Sequence, residues 1–156
     1  MIQRFILLFI LLSSSFLISM TYGEPPQVVV EKISPPPENP IRVTRDHRYR
    51  SMVTLYIQND DGTKTFSGWS TRQSDGAPED QPFEFQPGVN LIEGWTQGVL
   101  EMMEGERALL YVPPELGYGD RPMGRPGGAF YIPAASKLLF DIEILGKVLP
   151  KETPDL

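Results

Sequence analysis

Residues 91–98 read LIEGWTQG and continue as VLEMMEGERALLYVPPELGYG over residues 99–119. Counted from Trp95, apolar side chains recur at i+4, i+7 and i+8, which is one stripe of a 3.6-residue period. These apolar residues are Val99, Met102 and Met103. The pattern predicts a short amphipathic helix, and Gly105 stands where a left-handed residue would end it. No nucleophile, metal ligand or phosphate-binding loop stands beside Trp95, so its large ring needs another explanation.

The segments around this helix predict the strands of an antiparallel sheet. Apolar and polar residues alternate most clearly at 136–147, SKLLFDIEILGK. NDDG at 59–62 predicts a hairpin turn, and the Gly, Ser, Asp and Pro residues of 67–81 predict a long surface loop or a bulged edge. The predicted strands are 28–34, 52–58, 82–88, 107–114 and 136–147. One short helix on an antiparallel sheet of about five strands is an α+β architecture.

The N-terminal residues predict a secretory signal. Arg4 precedes an apolar run at 5–20, and Thr21 and Gly23 have the spacing that signal peptidase requires. An uncleaved membrane anchor is the alternative, but serines interrupt the run, which falls short of the roughly 20 apolar residues of a span. We therefore expect a signal peptide at 1–23, one domain at 24–150 and a short polar tail at 151–156. The expected location is the secretory pathway, either the lumen of the endoplasmic reticulum or outside the cell.

Composition weighs against several classes of function. A net charge of −6 disfavours nucleic acids and anionic membranes as partners, and the absence of cysteine rules out disulfides and cysteine-based zinc sites. The only histidine, His47, has no nucleophile beside it, which argues against a Ser-His-Asp or Cys-His apparatus. The arginines at 42–50 surround it with only Tyr49 among them, which makes no aromatic platform, so they predict a solvated strand edge. No metal or cofactor is expected.

Two longer stretches carry a resemblance to a known family. VNLIEGWTQGVLEMMEGERALLYVPPELGYG at 89–119, followed by YIPAASKLLFDIEILG at 131–146, resembles the FKBP-type peptidyl-prolyl cis-trans isomerases, the tacrolimus-binding immunophilins. The resemblance runs from about residue 28 to residue 146, and its motifs are specific in combination. It implies a twisted antiparallel sheet half-wrapped around one short helix, with a ligand cleft between them, in agreement with the α+β prediction.

The resemblance also implies which residues form the cleft. Trp95 would be its floor, beneath the proline ring of a substrate. The implied walls are Tyr56, Phe66, Phe83 and Phe140. Leu91 and Ile92 would lead into the helix, with Ile132 in the loop after the glycines. The backbone N–H of Ile92 and the hydroxyl of Tyr118 would contact substrate carbonyls.

The implied activity is rotation about X-Pro peptide bonds during the folding of exported proteins. Its mechanism would stabilise a twisted amide in an aromatic pocket, without proton transfer, a metal or a covalent step. The implied partners are proline-containing segments of client proteins and macrolides of the tacrolimus and rapamycin type. We expect a monomer that associates with membranes only if the signal remains uncleaved.

Departures from the family pattern leave a second hypothesis open. Ser67 follows Phe66 where the family usually has Asp, and Tyr131 stands where an aliphatic residue is usual. The rim segments are longer than the common pattern and include an additional Trp69. The alternative is a binding module that keeps the fold but has weak or no activity. We prefer the enzyme because most of the aromatic residues are present, and we expect Ser67→Asp to strengthen catalysis.

Overall fold

The structure is a computed structural model that describes residues 23–35 and 37–149. Apart from Gly23, the predicted signal peptide lies outside the described residues, as does the predicted tail at 151–156. The elements are β1 (Val29–Lys32), β2 (Tyr49–Gln58), β3 (Lys64–Ser70), β4 (Phe83–Phe85), α1 (Glu93–Leu100), β5 (Arg107–Val112), β6 (Met123–Gly124), β7 (Tyr131–Ile132) and β8 (Lys137–Lys147). Within the described ranges, no helix has both the length and the apolar character needed to cross a bilayer.

The sheet is antiparallel, with strands in the order β1-β5-β8-β2-β3. β4 also pairs with β2, at Tyr49–Ser51, so β3 and β4 share one side of that long strand. β6 and β7 form a separate two-stranded hairpin. The predicted α+β fold, with one helix on a mainly antiparallel sheet, is confirmed, although the sheet has six strands and not five.

The single helix packs closely against β5 because two of its residues are glycines. A Cβ atom on Gly94 would lie 2.2 Å from Val112 Cγ1, and one on Gly98 would lie 2.7 Å from Leu110 Cδ1. These distances are shorter than any side chain tolerates, so the glycines set the separation of helix and sheet. Val99 on the same helix is fully buried in the core between α1 and the sheet.

The predicted end of the helix is wrong. The helix stops at Leu100, so Met102 and Met103 lie beyond it, although Met102 remains fully buried. The reason is that other groups take the backbone hydrogen bonds of this segment. The Val43 N–H donates to the Met102 carbonyl at 3.0 Å, and the Met103 N–H donates to the buried Glu106 carboxylate at 2.8 Å. Gly105 has a φ of +85° but lies in the turn into β5.

The predicted loop at 67–81 begins as part of a strand. Residues 67–70 belong to β3, an edge strand whose register with β2 shifts between Leu55 and Tyr56. The bulged-edge alternative is therefore correct for these residues. Gly68 lies at the irregularity with a φ of +91°, a conformation that residues with a side chain rarely adopt.

The rest of that segment folds across the outer face of the sheet, the face opposite α1. Arg72 donates to the Glu143 carboxylate at 3.0 Å and to the Met52 carbonyl at 3.1 Å. Beside it, Arg107 binds Asp141 through two hydrogen bonds of 2.7 and 2.8 Å. These ion pairs form an outer-face network that fastens residues 71–81 to β8.

Candidate active site

A cavity of about 530 Å³ opens between α1, the inner face of the sheet and the β6–β7 hairpin. Its lining residues are Leu55, Trp69, Phe83, Asn90, Leu91, Ile92, Trp95, Tyr118, Phe130 and Phe140. None of them carries a charge, and most are aromatic or aliphatic. A concave, mainly apolar cavity of roughly 300–1,000 Å³ is the usual form of a small-ligand site. We call it the aromatic cavity.

Trp95 is held in the aromatic cavity by rings on several sides. It lies in the first turn of α1 and is only 3% exposed. Its ring centroid lies 5.0 Å from that of Phe140 and 5.7 Å from those of Phe83 and Phe85, each pair close to edge-to-face. Such pairs contribute about 0.5–1.5 kcal/mol each beyond the area they bury. The indole is thus a fixed surface against which a flat ligand ring can pack.

The structure brings several predicted site residues together around this indole. The predicted residues that line the aromatic cavity are Phe83, Leu91, Ile92, Trp95, Tyr118 and Phe140. Ile92 is the N-cap residue of α1, a position whose N–H has no helix carbonyl to bind. The cavity therefore combines ring surfaces from β4, α1 and β8 with polar groups at three places, Asn90, Ile92 and Tyr118.

Two of the predicted walls lie elsewhere. Tyr56 and Phe66 are on the outer face, with ring centroids 6.1 Å apart, and Lys64 Nζ lies 4.0 Å above the Tyr56 ring. Leu55 and Trp69 occupy the aromatic cavity instead. Side chains alternate between the faces of a sheet, so a displacement of one residue moves a side chain to the opposite face. Leu55 pairs with Phe140 of β8 and faces inward, so the next residue, Tyr56, faces outward, and Phe66, which pairs with Tyr56, faces outward with it.

The other predicted site residues that do not line the aromatic cavity are Ser67, Tyr131 and Ile132. Ser67 is buried, and its Oγ accepts a hydrogen bond from the Trp69 N–H at 3.2 Å. Ile132 is fully buried in the core. Tyr131 and Ser67 line a different groove, on the other side of the β6–β7 hairpin. The expectation that Ser67→Asp strengthens catalysis therefore has no geometric basis, because position 67 does not face the aromatic cavity.

Sequence reasoning missed four lining residues, Leu55, Trp69, Asn90 and Phe130. Leu55 could have been found, because Val53 and Leu55 are the apolar positions of one face in the β2 alternation. The sequence predicts Trp69 only at the rim of the cleft. Its ring centroid lies 5.8 Å from that of Phe83 and 6.4 Å from that of Trp95, so it is part of the wall.

The β6–β7 hairpin reaches the sheet through a backbone contact at Gly68. A Cβ atom on this residue would lie 1.7 Å from the Ala129 carbonyl oxygen and 2.9 Å from Phe130 Cα. Only glycine permits so close an approach. The contact places Phe130 in the aromatic cavity and Ala129 in the groove on the other side.

Burial raises the pKa of the Tyr118 hydroxyl above its ordinary value of 10.0. The neutral hydroxyl therefore remains a hydrogen-bond donor throughout the neutral range. We expect any activity of the aromatic cavity to be independent of pH between about 6 and 9. Because the unfolded chain loses this proton at a lower pH than the folded one, the contribution of Tyr118 to stability is complete below pH 10.0 and decreases above it.

Rate measurements between about pH 6 and 9 test the first expectation, and urea unfolding between about pH 8 and 11 tests the second. Tyr118→Phe is the control, because it removes the titrating hydroxyl and keeps the ring. A rate that changes with an apparent pKa near neutrality in both proteins would show that a group outside the cavity lining controls the reaction.

No cluster of three or more His, Cys, Asp or Glu that could hold a metal occurs in the part of the chain that the structure describes.

Comparisons with known proteins agree with this geometry. The sequence model of a family described as FKBP-type peptidyl-prolyl cis-trans isomerase matches residues 45–145. The chain is 49% identical over 74 residues to the chloroplastic peptidyl-prolyl cis-trans isomerase FKBP13 of Arabidopsis thaliana, covering 43% of this chain and 36% of that protein. It is 45% identical over 69 residues to human peptidyl-prolyl cis-trans isomerase FKBP2, covering 44% of this chain and 45% of the relative. The matched region thus spans less than half the length of these relatives.

A solved structure shows the same arrangement of elements. The crystal structure of FKBP13 from Arabidopsis thaliana superposes with a TM-score of 0.59 and 28% identity, over 78% of this chain and 93% of that one. The three FKBP domains of wheat FKBP73 give a TM-score of 0.61 and 26% identity, over 78% of this chain and 46% of that one.

Proposed function

This chain belongs to the FKBP-type peptidyl-prolyl cis-trans isomerases, and from that premise we propose that its aromatic cavity catalyses rotation about X-Pro bonds. The observation that carries the proposal is the indole of Trp95, fixed by surrounding rings at the base of a cavity that has space for a proline ring. Its substrates would be exposed proline-containing segments of other proteins.

The physical task is to lower a rotational barrier. Resonance keeps the peptide bond planar, and the barrier to rotation is roughly 18–20 kcal/mol. Uncatalysed X-Pro exchange takes about tens to hundreds of seconds. Twisting the bond reduces resonance and with it much of the amide dipole, so an apolar site favours the twisted form relative to the planar one. The uncharged lining of the aromatic cavity provides such a site.

The polar groups would act on the substrate carbonyls. We assign the hydroxyl of Tyr118 and the backbone N–H of Ile92 as donors, because both residues line the aromatic cavity. Donors that fit the twisted amide better than the planar one lower the barrier without receiving or giving up a proton. Trp95, Phe83 and Phe140 would hold the proline ring while the bond rotates.

The setting we propose is the secretory pathway, where the enzyme would accelerate folding steps limited by proline isomerisation. The support is the sequence pattern of residues 1–23, with a membrane-anchored form as the alternative if that segment is retained. Macrolides of the tacrolimus and rapamycin type are the corresponding inhibitors to examine, because family members are recognised by them.

A second candidate is a binding module that grips proline-containing segments with little turnover. The observation favouring it is that no acidic side chain lines the aromatic cavity. We prefer the enzyme, because the mechanism depends on the rings and donors and not on a carboxylate.

The test is the cis-to-trans exchange rate of a proline-containing tetrapeptide in the presence of the purified protein. We expect the rate to rise in proportion to protein concentration, and Phe140→Ala to reduce kcat/KM by at least about tenfold through loss of ring contact. If the peptide binds and its exchange rate remains that of buffer, the binding module replaces the enzyme. If the peptide neither binds nor isomerises faster, both candidates are wrong.

A further inference from the structure

The backbone of Phe130 is approached closely by two glycines from different parts of the chain. A Cβ atom on Gly68, in β3, would lie 2.9 Å from Phe130 Cα, in addition to its overlap with the Ala129 carbonyl. A Cβ atom on Gly124, in β6, would overlap the Phe130 carbonyl oxygen and lie 3.1 Å from the carbonyl carbon. Backbone atoms cannot move aside as the end of a flexible side chain can. A side chain at either glycine would therefore displace residue 130.

We propose that Phe130 is a specificity-determining residue of the aromatic cavity, and that Gly68 and Gly124 are positioning residues that hold its ring there. The ring contacts the apolar side chain that stands next to the proline of a bound peptide. The proposal rests on the proposed function, because it identifies what selects the substrates of that site.

The first argument is the place of the Phe130 ring. It lines the aromatic cavity together with Trp95, and it packs against the core. Trp95 is only 3% exposed, whereas Phe130 is partly exposed and retains surface that a ligand can cover. Consecutive Cα atoms of a peptide are about 3.8 Å apart across a trans bond. A residue next to a proline that packs on Trp95 therefore brings its side chain into the same cavity.

The second argument is the small size of the hairpin that carries Phe130. β6 and β7 pair with each other over two residues each and belong to no larger sheet of the described chain. Ile132 is fully buried and anchors the end of β7 in the core. Before that anchor, the approach at Gly68 sets the distance of the hairpin from β3, and the approach at Gly124 sets the distance of β6 from residue 130. The position of the ring thus depends on two residues that have no side chain.

Two other glycines allow this contact to be separated from backbone conformation. Gly124 has a φ of +78°, and Gly127, in the same hairpin, has a φ of +75°. Gly68 has a φ of +91°, and Gly62, in the turn before β3, has a φ of +83°. A Cβ atom on Gly62 or Gly127 would meet nothing of the described chain within 4 Å beyond its own neighbours. Alanine therefore brings comparable backbone strain at all four positions and a clash at only two of them.

The experiment measures KM and kcat for tetrapeptides that carry Leu or Ala on either side of the proline. At one of these two positions we expect the wild type to have a KM about fivefold to tenfold lower for Leu than for Ala, with similar kcat, because the ring contributes binding and not rotation. Phe130→Ala should abolish this preference and change the KM of the Ala peptide little. Gly68→Ala and Gly124→Ala should reduce the preference at least about threefold, while Gly62→Ala and Gly127→Ala keep it.

Double variants show whether the glycines act through Phe130. In a chain that already carries Phe130→Ala, adding Gly68→Ala or Gly124→Ala should not change the Leu-to-Ala ratio of KM further, since the ring to be positioned is gone. A general loss of structure would alter kcat/KM for both peptides alike. Urea unfolding shows whether each variant is folded at the assay temperature. If Gly68→Ala does not fold, Gly124→Ala, outside the six-stranded sheet, decides the question.

The proposal is overturned if Phe130→Ala keeps the wild-type preference, or if Gly62→Ala and Gly127→Ala lose it as fully as the other two glycine variants. It is also overturned if the wild type isomerises the Leu and Ala peptides without preference, and the activity then stands without it. If no peptide is isomerised, the proposed function fails, and calorimetric Kd values for the same peptides and variants decide whether Phe130 selects the ligand. Absence of binding overturns both.

Discussion

Replacing Trp95 by alanine is expected to lower the free energy of unfolding by about 3–5 kcal/mol, the cost of removing a large buried aromatic side chain. The ring is 3% exposed and contacts rings from β4 and β8, so its removal leaves a space that these neighbours cannot close without moving. The same change removes the surface against which a proline would pack. We expect kcat/KM to fall by about 10- to 100-fold in the folded protein, which is the loss of one buried apolar contact.

Met102→Ala separates these two effects. Met102 is fully buried in the same core and does not line the aromatic cavity. The Met102→Ala variant should lose about 2–5 kcal/mol in its free energy of unfolding, while the folded fraction keeps the kcat/KM of the wild type. Urea unfolding and the tetrapeptide assay, both at a temperature where each variant is folded, provide the comparison. Equal loss of kcat/KM in the two variants would mean that Trp95 contributes only to the core.

Asp141→Ala is expected to cost about 1.5–3 kcal/mol, the range for hydrogen bonds to a charged group, although Asp141 lies on the outer face and touches no substrate. Its carboxylate receives two hydrogen bonds from Arg107 and lies 4.0 Å from Arg72. The side chains of Asp141 and Arg72 are only 12% and 11% exposed. Removing the carboxylate deprives Arg107 of two hydrogen bonds, which water replaces in part because that side chain is 40% exposed, while the more buried Arg72 keeps its bond to Glu143.

Lys137→Ala is the matched control on the same strand. Lys137 and Asp60 form an ion pair at 2.8 Å, as short as the longer Arg107–Asp141 hydrogen bond, but their side chains are 53% and 94% exposed. Water screens such a pair, and its loss should cost at most about 1 kcal/mol. Adding Arg107→Leu to Asp141→Leu should recover part of the stability, since the remaining charge is removed. Equal costs for Asp141→Ala and Lys137→Ala would contradict the view that burial of the Asp141 carboxylate strengthens the outer-face network.

Much of the fold could be predicted because the apolar pattern of each segment agrees with the side chains that are buried in the folded protein. The alternation in 136–147 survives as β8, whose Phe140 and Ile142 face the core as expected. Trp95 also lies in the predicted helix and at the base of the cavity. The strand is long enough, and the motif around Trp95 specific enough, for the sequence to favour a single structure.

Errors occur where a contact distant in sequence decides the local structure. The apolar period continues to Met103 and predicts a longer helix, but pairing of residues 41–43 with 102–104 takes the backbone groups instead. The family resemblance implies that Tyr56 and Phe66 line the aromatic cavity. Pairing of Leu55 with Phe140 turns Leu55 inward, so Tyr56 and its partner Phe66 face outward. The composition of 67–81 predicts a bulged edge but not the residue at which the register shifts.

The outer-face network was also beyond sequence reasoning. Arg72, Arg107 and Asp141 come from three segments that lie far apart along the chain. The sequence around each of them predicts an ordinary surface charge, and only the sheet topology brings the three segments together. Their partial burial depends on residues 71–81 folding back over the sheet, and the sequence of those residues is typical of an exposed loop.

The chain contains two tryptophans, Trp69 and Trp95, and both of their rings lie in the wall of the same depression. Light at the long-wavelength edge of the indole absorption band is therefore absorbed only in the wall of this cavity. Because the two ring centroids are 6.4 Å apart, the two indoles exchange excitation energy. The intrinsic emission of this protein is consequently a label-free optical signal from a single location. A compound that binds in the aromatic cavity can therefore be titrated by the shift it causes in the emission wavelength of the two indoles, without a reporter attached to either molecule.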